Sequence, residues 1–223
     1  MQVSLDFNKA LVNHWFGIGD YDAVNLRYTD RTPNGLHLGW TAGATAPTKL
    51  PDSHGISLDG GDLLTGATRG LFALDRISVC CLIAPTFAAN DGVQHYIYDS
   101  SVGNEFMCVK DAVNSLVFYA GNMMLTVLLA NYVNFWKVGQ YNTLVFRGRS
   151  GDNQAFLNNN SIGTSATAWP AGINPANWWL GCRYDSTLFF AGRYYNHMVF
   201  PFDVTTMQAT DFHFEVLRRV NNT

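Results

Sequence analysis

The sequence predicts an all-β domain built as a two-sheet antiparallel β-sandwich, and three observations predict it. Short runs of β-branched and aromatic residues recur between clusters of Gly, Asn, Asp and Pro, while helical spacing of apolar residues is nearly absent. Of the 17 acidic residues 15 are Asp, the glutamates being Glu105 and Glu215, and lysine occurs four times. Glu and Lys favour exposed helix positions, so this usage points away from helix. With 48% hydrophobic, 14% aromatic and 14% charged residues, the 223-residue chain carries enough apolar material for one large core, and a single domain spanning residues 1–223 is expected.

The central strand is read from Arg76 to Ala84. Ile77, Val79, Cys81 and Ile83 share one face, Cys80 and Leu82 lie on the other, and Pro85 ends the run because proline cannot donate to a ladder. Both faces are apolar, so the strand is expected to be buried on both sides. Further strands are expected around Gln94 to Tyr98, Glu105 to Val109, Ser115 to Tyr119 and Met123 to Leu128, then Tyr141 to Arg149, Gln154 to Leu157, Trp178 to Cys182 and Phe189 to Phe200. Ser150-Gly-Asp-Asn153 and Asn158-Asn-Asn-Ser161 are tight turns, made of residues that tolerate positive φ. Asp203-Val-Thr-Thr-Met-Gln208 offers capping side chains before one short helical turn near Thr205 to Thr210. The expected core includes Ile77, Val79, Ile83, Leu144, Phe146, Leu180 and Val199.

The order of these pieces resembles the concanavalin A-like jelly roll in its laminin-G-like form, over most of the chain. Leu11-Val-Asn-His-Trp15 is similar to the family's opening strand, and Tyr28 to Leu38, with Asp30, Thr32 and Gly35, to its following Asp-x-(Ser/Thr)-x-x-Gly loop. Gly55-Ile-Ser-Leu-Asp-Gly-Gly61 resembles its apolar-x-apolar-Asp-Gly strand end, and Ile77 to Pro85 its Ile-Ser…Pro strand. Trp136, Tyr141 to Arg149 and Asp152 to Gly163 resemble the stretch leading to a Leu-Tyr-Val-Asn-Gly strand, which reads Ala155-Phe-Leu-Asn-Asn159 here, with Asn in place of the usual Gly. Trp179-Leu-Gly-Cys-Arg183 and Phe189 to Phe200 are similar to the family's last two strands. Each piece alone is weak; six in the right order carry the resemblance.

Several functions are excluded on chemistry. Fourteen basic and 17 acidic residues, net charge -3, are spread without the basic stripe that nucleic acid requires. The longest apolar region, Leu116 to Trp136, is interrupted by Gly121, Asn122, Asn131 and Asn134 and does not read as a membrane span. The first residues carry no basic start followed by an apolar stretch, so no secretory signal is read there. The resembled fold includes retaining glycoside hydrolases, whose chemistry needs two carboxylates about 5 Å apart on one face. Glu105 and Glu215 show no such pattern. Nor do the six histidines fall in metal-ligand spacing, and Asp52-Ser53-His54 is read as a turn because a triad needs spatial convergence. No enzyme activity is expected. Cys80, Cys81, Cys108 and Cys182 sit in apolar surroundings and are read as buried free thiols, with a Cys81 to Cys108 bridge as the alternative in an oxidising compartment. No cofactor is expected beyond a structural calcium, which the resemblance raises because many laminin-G-like domains hold one; Asp30 and Asn34 are its weak candidates beside the reading of a plain Asx turn.

What remains is binding or assembly. Trp169, Trp178, Tyr184, Tyr194 and Tyr195 are the candidate binding or interface rings, since glycan sites and subunit interfaces both use exposed aromatics. In a strand Trp178 and Trp179 face opposite ways, as do Tyr194 and Tyr195, so one ring of each pair is expected outside the core. The Lys-poor, Asn-, Gly- and Thr-rich makeup resembles phage structural proteins of this fold. That implies a bacteriophage virion protein, a capsid decoration or fibre-associated domain at the virion surface, made in the host cytoplasm and partnered by other virion proteins or by copies of itself. The alternative is a lectin-like module that recognises a cell-surface glycan.

Overall fold

Alternating apolar residues form long strands where the β-branched and aromatic runs predict them, and the short polar stretches between supply tight turns or two-residue strands. The computed structural model describes residues 5–16, 20–40, 46–50, 55–72, 75–100, 106–170 and 173–221. Among these residues the strands run, in chain order, as β1 (Val12–Trp15), β2 (Tyr21–Asp22), β3 (Arg27–Tyr28), β4 (Leu38–Gly39), β5 (Thr48–Lys49), β6 (Ile56–Asp59), β7 (Leu64–Ala67), β8 (Arg76–Pro85) and β9 (His95–Ser100). They continue as β10 (Met107–Lys110), β11 (Leu116–Ala120), β12 (Asn122–Val127), β13 (Asn142–Arg149), β14 (Asp152–Leu157), β15 (Asn160–Ser165), β16 (Asn177–Leu180) and β17 (Ala191–Phe200).

Two antiparallel sheets result. The first follows the order β15-β14-β13-β8-β17-β6-β5, with β1 also on β17; the second follows β12-β11-β10-β9-β16-β7-β4-β3-β2. The two-sheet antiparallel sandwich expected from the sequence is therefore the observed architecture. β8 lies at the centre of the first sheet between β13 and β17, with Leu144 opposite Cys81 and His197 opposite Cys81 on the other side.

The main core fills the space between the sheets. Ile77, Val79, Ile83, Leu144, Phe146, Leu180 and Val199 are all in it and buried, as the alternation predicts. Cys81 belongs to this core, whereas Cys80, one residue earlier, faces the opposite side with Leu82 and Met198. All four cysteines are buried with free thiols.

The outer side of the first sheet is closed by a helix longer than expected. The sequence suggests a single turn near Thr205 to Thr210; the structure shows α2, Thr206–Asn221, of 16 residues, after the single-turn α1 (Leu129–Tyr132). Thr205 and Gln208 form a reciprocal cap, the Gln208 N–H donating to Thr205 Oγ1 at 3.2 Å and the Thr205 N–H to Gln208 Oε1 at 2.9 Å. Ala209, Phe212 and Val216 then recur at helical spacing and bury against Cys80, Leu82, Val145 and Phe200. Packing against a ready apolar sheet face extends a helix whose local propensity is modest.

The hairpin turns follow their chemistry. Arg149 pairs with Asp152, leaving Ser150-Gly151 as the two-residue connection with Gly151 at φ 83°. Leu157 pairs with Asn160, and Asn158 and Asn159 between them both have positive φ, 49° and 64°, as a type I′ turn requires. Asn stands where the resembled family has Gly because it tolerates that region. Asp52, Ser53 and His54 lie outside the described residues, as does Glu105.

Candidate functional site

The two sheets differ in what their outer faces offer. α2 covers the first. On the second, Tyr96, Met107, Val109 and Val117 form a small apolar floor with Tyr119 packed against it. Because β16 pairs with β9 and β7, Trp179 stands opposite Asp99 on one side and Thr65 on the other, while its neighbours Trp178 and Leu180 point into the core. The same register continues outwards: Thr65 is opposite Gly39, and Gly39 opposite Arg27. One cross-strand row, Asp99–Trp179–Thr65–Gly39–Arg27, thus runs over five strands, about 19 Å at the usual strand spacing.

At the Asp99 end the groups are polar under an aromatic rim. Asp99 is 2% exposed and accepts N–H bonds from Ser100 at 2.8 Å and Tyr184 at 2.9 Å. Burial pushes its carboxyl up to about 6, the two N–H donors and Arg183 pulling the other way. By holding the Tyr184 backbone it fixes the loop that carries Arg183 and Tyr184, where the guanidinium lies 5.3 Å from the ring centroid. Burial raises Tyr96 on the same face, with the Arg183 charge opposing it and Asp99 and Tyr119 adding to it.

At the Arg27 end the row opens into a groove of about 400 Å³, lined among others by Asn25, Arg27, His37, Trp40, Thr65 and Arg69. Gly66 makes this possible, since a Cβ there would lie 2.5 Å from the His37 carbonyl and push β4 off β7. Trp40 stacks on Tyr21 at 5.7 Å with the planes 6° apart. His37 Nδ1 accepts the Asp30 N–H at 3.1 Å, so Nε2 carries the ring proton of the neutral imidazole. Burial, followed by the Arg27 charge, holds this histidine below its ordinary value.

The structure separates the rings singled out from the sequence. Trp178 and Tyr194 are 3% and 0% exposed within the main core, and Tyr195 is 4% exposed on the helix-covered side, so the expectation of exposed contact rings fails for these three. Tyr194 points inwards and Tyr195 outwards, as strand alternation requires, but outwards means beneath α2 and edge-on to Tyr141 at 4.4 Å. Trp169 is half-buried, donating from Nε1 to Asn153 Oδ1 at 2.7 Å and filling the space above Gly148. Only Tyr184 joins the face described above. Trp179 is the ring of its pair that stands outside the core, as the opposite orientation of adjacent strand residues leads one to expect, whereas Tyr96, Tyr119, Arg27, His37, Trp40 and Arg69 carry no such signal in the sequence.

Asp30 is buried, and its oxygens accept from the Asn13 N–H, the Thr32 N–H and hydroxyl, and the Leu36 N–H, at 2.7 to 3.0 Å. The Asn34 side chain donates to the Leu11 carbonyl at 2.9 Å. This is the hydrogen bonding of an Asx turn that ties the loop to β1. Glu215 lies on α2, bonded to Arg218 and Arg219.

No protein-family model matches the chain, and no curated protein matches it. Solved structures do. Domain 4 of an extracellular arabinanase from Geobacillus stearothermophilus, in complex with arabinotriose, is similar with a TM-score of 0.61 and 16% identity, over 93% of this chain and 100% of that one. The ligand-binding domain of botulinum neurotoxin serotype D, in complex with N-acetylneuraminic acid, is similar with a TM-score of 0.69 and 8% identity, over 95% of this chain and 51% of that one. Trypanosoma rangeli sialidase, as its covalent intermediate with 2,3-difluorosialic acid, gives 0.64 and 8% over 93% of this chain and 33% of that one. The chain therefore spans about a third of the sialidase and about half of the toxin domain. At these identities the likeness establishes the β-sandwich, consistent with a concanavalin A-like fold.

Proposed function

We propose that the protein is a lectin-like carbohydrate-binding domain that acts by binding, without a chemical step, through the outer face of its second sheet. The observation that carries this reading is the row Asp99–Trp179–Thr65–Gly39–Arg27, in which the half-buried Trp179 ring stands beside the Thr65 hydroxyl and which ends in a groove lined by the Arg27 guanidinium, the Asn25 amide and Trp40. Sugars need both an apolar surface for their C–H faces and fixed polar partners for their hydroxyls. Three similar structures support the reading, as they hold arabinotriose, N-acetylneuraminic acid or a sialic acid derivative. None of them is a virion protein, and the capsid-decoration or fibre reading keeps amino-acid composition as its support. Titration calorimetry of the full chain against a panel of neutral and acidic oligosaccharides tests the proposal. At least one binds, and Trp179→Ala weakens it by roughly tenfold or more, the loss of about 1.4 kcal/mol. Absence of binding to every sugar, or binding untouched by Trp179→Ala, refutes it.

A further inference from the structure

The groove at the Arg27 end differs chemically from the rest of the face. Arg69 has no ion pair among the described residues, and it sits at φ 52° in a turn anchored by buried Thr68, whose N–H donates to the Ala176 carbonyl at 2.9 Å. Residues other than Gly occupy that region at a cost, and at this position the exposed Arg69 side chain borders the groove. Arg27 gives its Nε to Asp22 at 3.2 Å, and no described residue engages its other donors. Gly35, at φ 61°, leaves His37 Nε2 uncovered: a Cβ there would stand 3.6 Å from that nitrogen and 3.9 Å from an Arg69 terminal nitrogen. Three N–H-bearing groups, from β3, from the residue before β4 and from the turn after β7, therefore line one groove with Trp40.

We infer that this groove is the acidic-sugar subsite of the binding face: it takes the carboxylate of a sialic- or uronic-acid residue between Arg27 and Arg69, with His37 Nε2–H as a further donor and the sugar ring beside Trp40. The inference rests on the glycan reading of the face. Guanidinium forks match a carboxylate bidentately, and the two arginines, offset by the Asp22 carboxylate and by the buried Asp30 carboxylate behind His37, leave no large excess of positive charge, which suits a monoanion better than a phosphate dianion. The row through Thr65 to Trp179 lets the neutral remainder of the same glycan continue along the sheet.

The test is calorimetry of the full chain with 3′-sialyllactose, lactose and inorganic phosphate, at low and at high salt, on wild type, Arg69→Gly and Arg69→Lys. Gly accepts the φ of position 69 without strain, so Arg69→Gly should fold at least as well as the wild type, and a thermal melt verifies it. The expected result is that sialyllactose binds at least tenfold more tightly than lactose and that salt erodes the difference. Arg69→Gly should remove roughly ten- to hundredfold of sialyllactose affinity, the worth of a charge-assisted hydrogen bond, with Arg69→Lys in between. The preference for sialyllactose over lactose should fall by the same factor. Equal affinity for the two sugars, or an Arg69→Gly variant that keeps the preference, overturns the inference while leaving a neutral-glycan face intact. Phosphate binding as tight as sialyllactose overturns the sugar assignment, and no sugar binding at all overturns both readings.

Discussion

Replacing Asp99 by Asn should make the protein less stable in acid and more stable at neutral pH. The carboxyl is 2% exposed and titrates near 6 in the fold, against 3.8 when solvated. Folding therefore favours the protonated form, and ionising it within the fold costs about 3 kcal/mol once the pH is above both values. The wild type loses that amount as pH rises from below 3.8 through 6, while the amide has no charge to form. Asn keeps only one of the two acceptors used by the Ser100 and Tyr184 N–H groups, which costs about 1–2 kcal/mol at every pH. The stability difference between variant and wild type should thus grow in favour of the variant by about 2 kcal/mol between pH 4 and pH 7.5, with the two curves crossing. Urea unfolding of both proteins across that range measures it, and other titrating groups cancel in the difference. A difference that stays constant with pH refutes the desolvated carboxylate. A stability gain accompanied by weaker glycan binding would show that the charge is kept for the loop it orders.

Trp178→Ala should destabilise the fold by about 3–5 kcal/mol, because it empties a buried position between the sheets, whereas the half-buried Trp179→Ala should cost much less; denaturant midpoints of the two variants compare them directly. His14, fully buried and stacked on Phe16, has its pKa lowered from 6.5 to about 4 by burial. The unfolded chain binds this proton first, so stability present above pH 6.5 is lost as pH falls towards 4, by up to about 3 kcal/mol, and His14→Phe should flatten that part of the curve. Thr205→Ala should lower stability by about 1 kcal/mol through the α2 cap, read in the same unfolding assay. Thiol counting in denaturant without reductant should find all four cysteines free; finding two would establish a bridge and an oxidising compartment.

The long strands and the main core were legible because their signal is local. Ile77, Val79, Cys81 and Ile83 alternate without interruption, and no helix accommodates that pattern. The Asn158-Asn159 turn was legible for the same reason. Helix α2 was half legible: the Thr205 cap was visible, but Ala209, Phe212 and Val216 become a helix face only once the sheet gives them a surface to cover. Which ring of Trp178 and Trp179 faces the core depends on the partner strands and not on the pair itself. The groove was illegible, because Arg27, His37 and Arg69 meet through the pairing of β3, β4 and β7, strands of two to four residues with no pattern of their own.

The helix on the back of the first sheet also gives the molecule a polarity. With Ala209, Phe212 and Val216 sealing one broad side, the sandwich presents its ring-lined row on the other, so each copy has a front and a back. Copies that cooperate on a sugar-coated surface would have to be displayed side by side with their fronts coplanar, since back-to-back pairing would point half of them away. Avidity would then be set by the spacing and tilt of whatever holds them, a property of the array and not of the individual site.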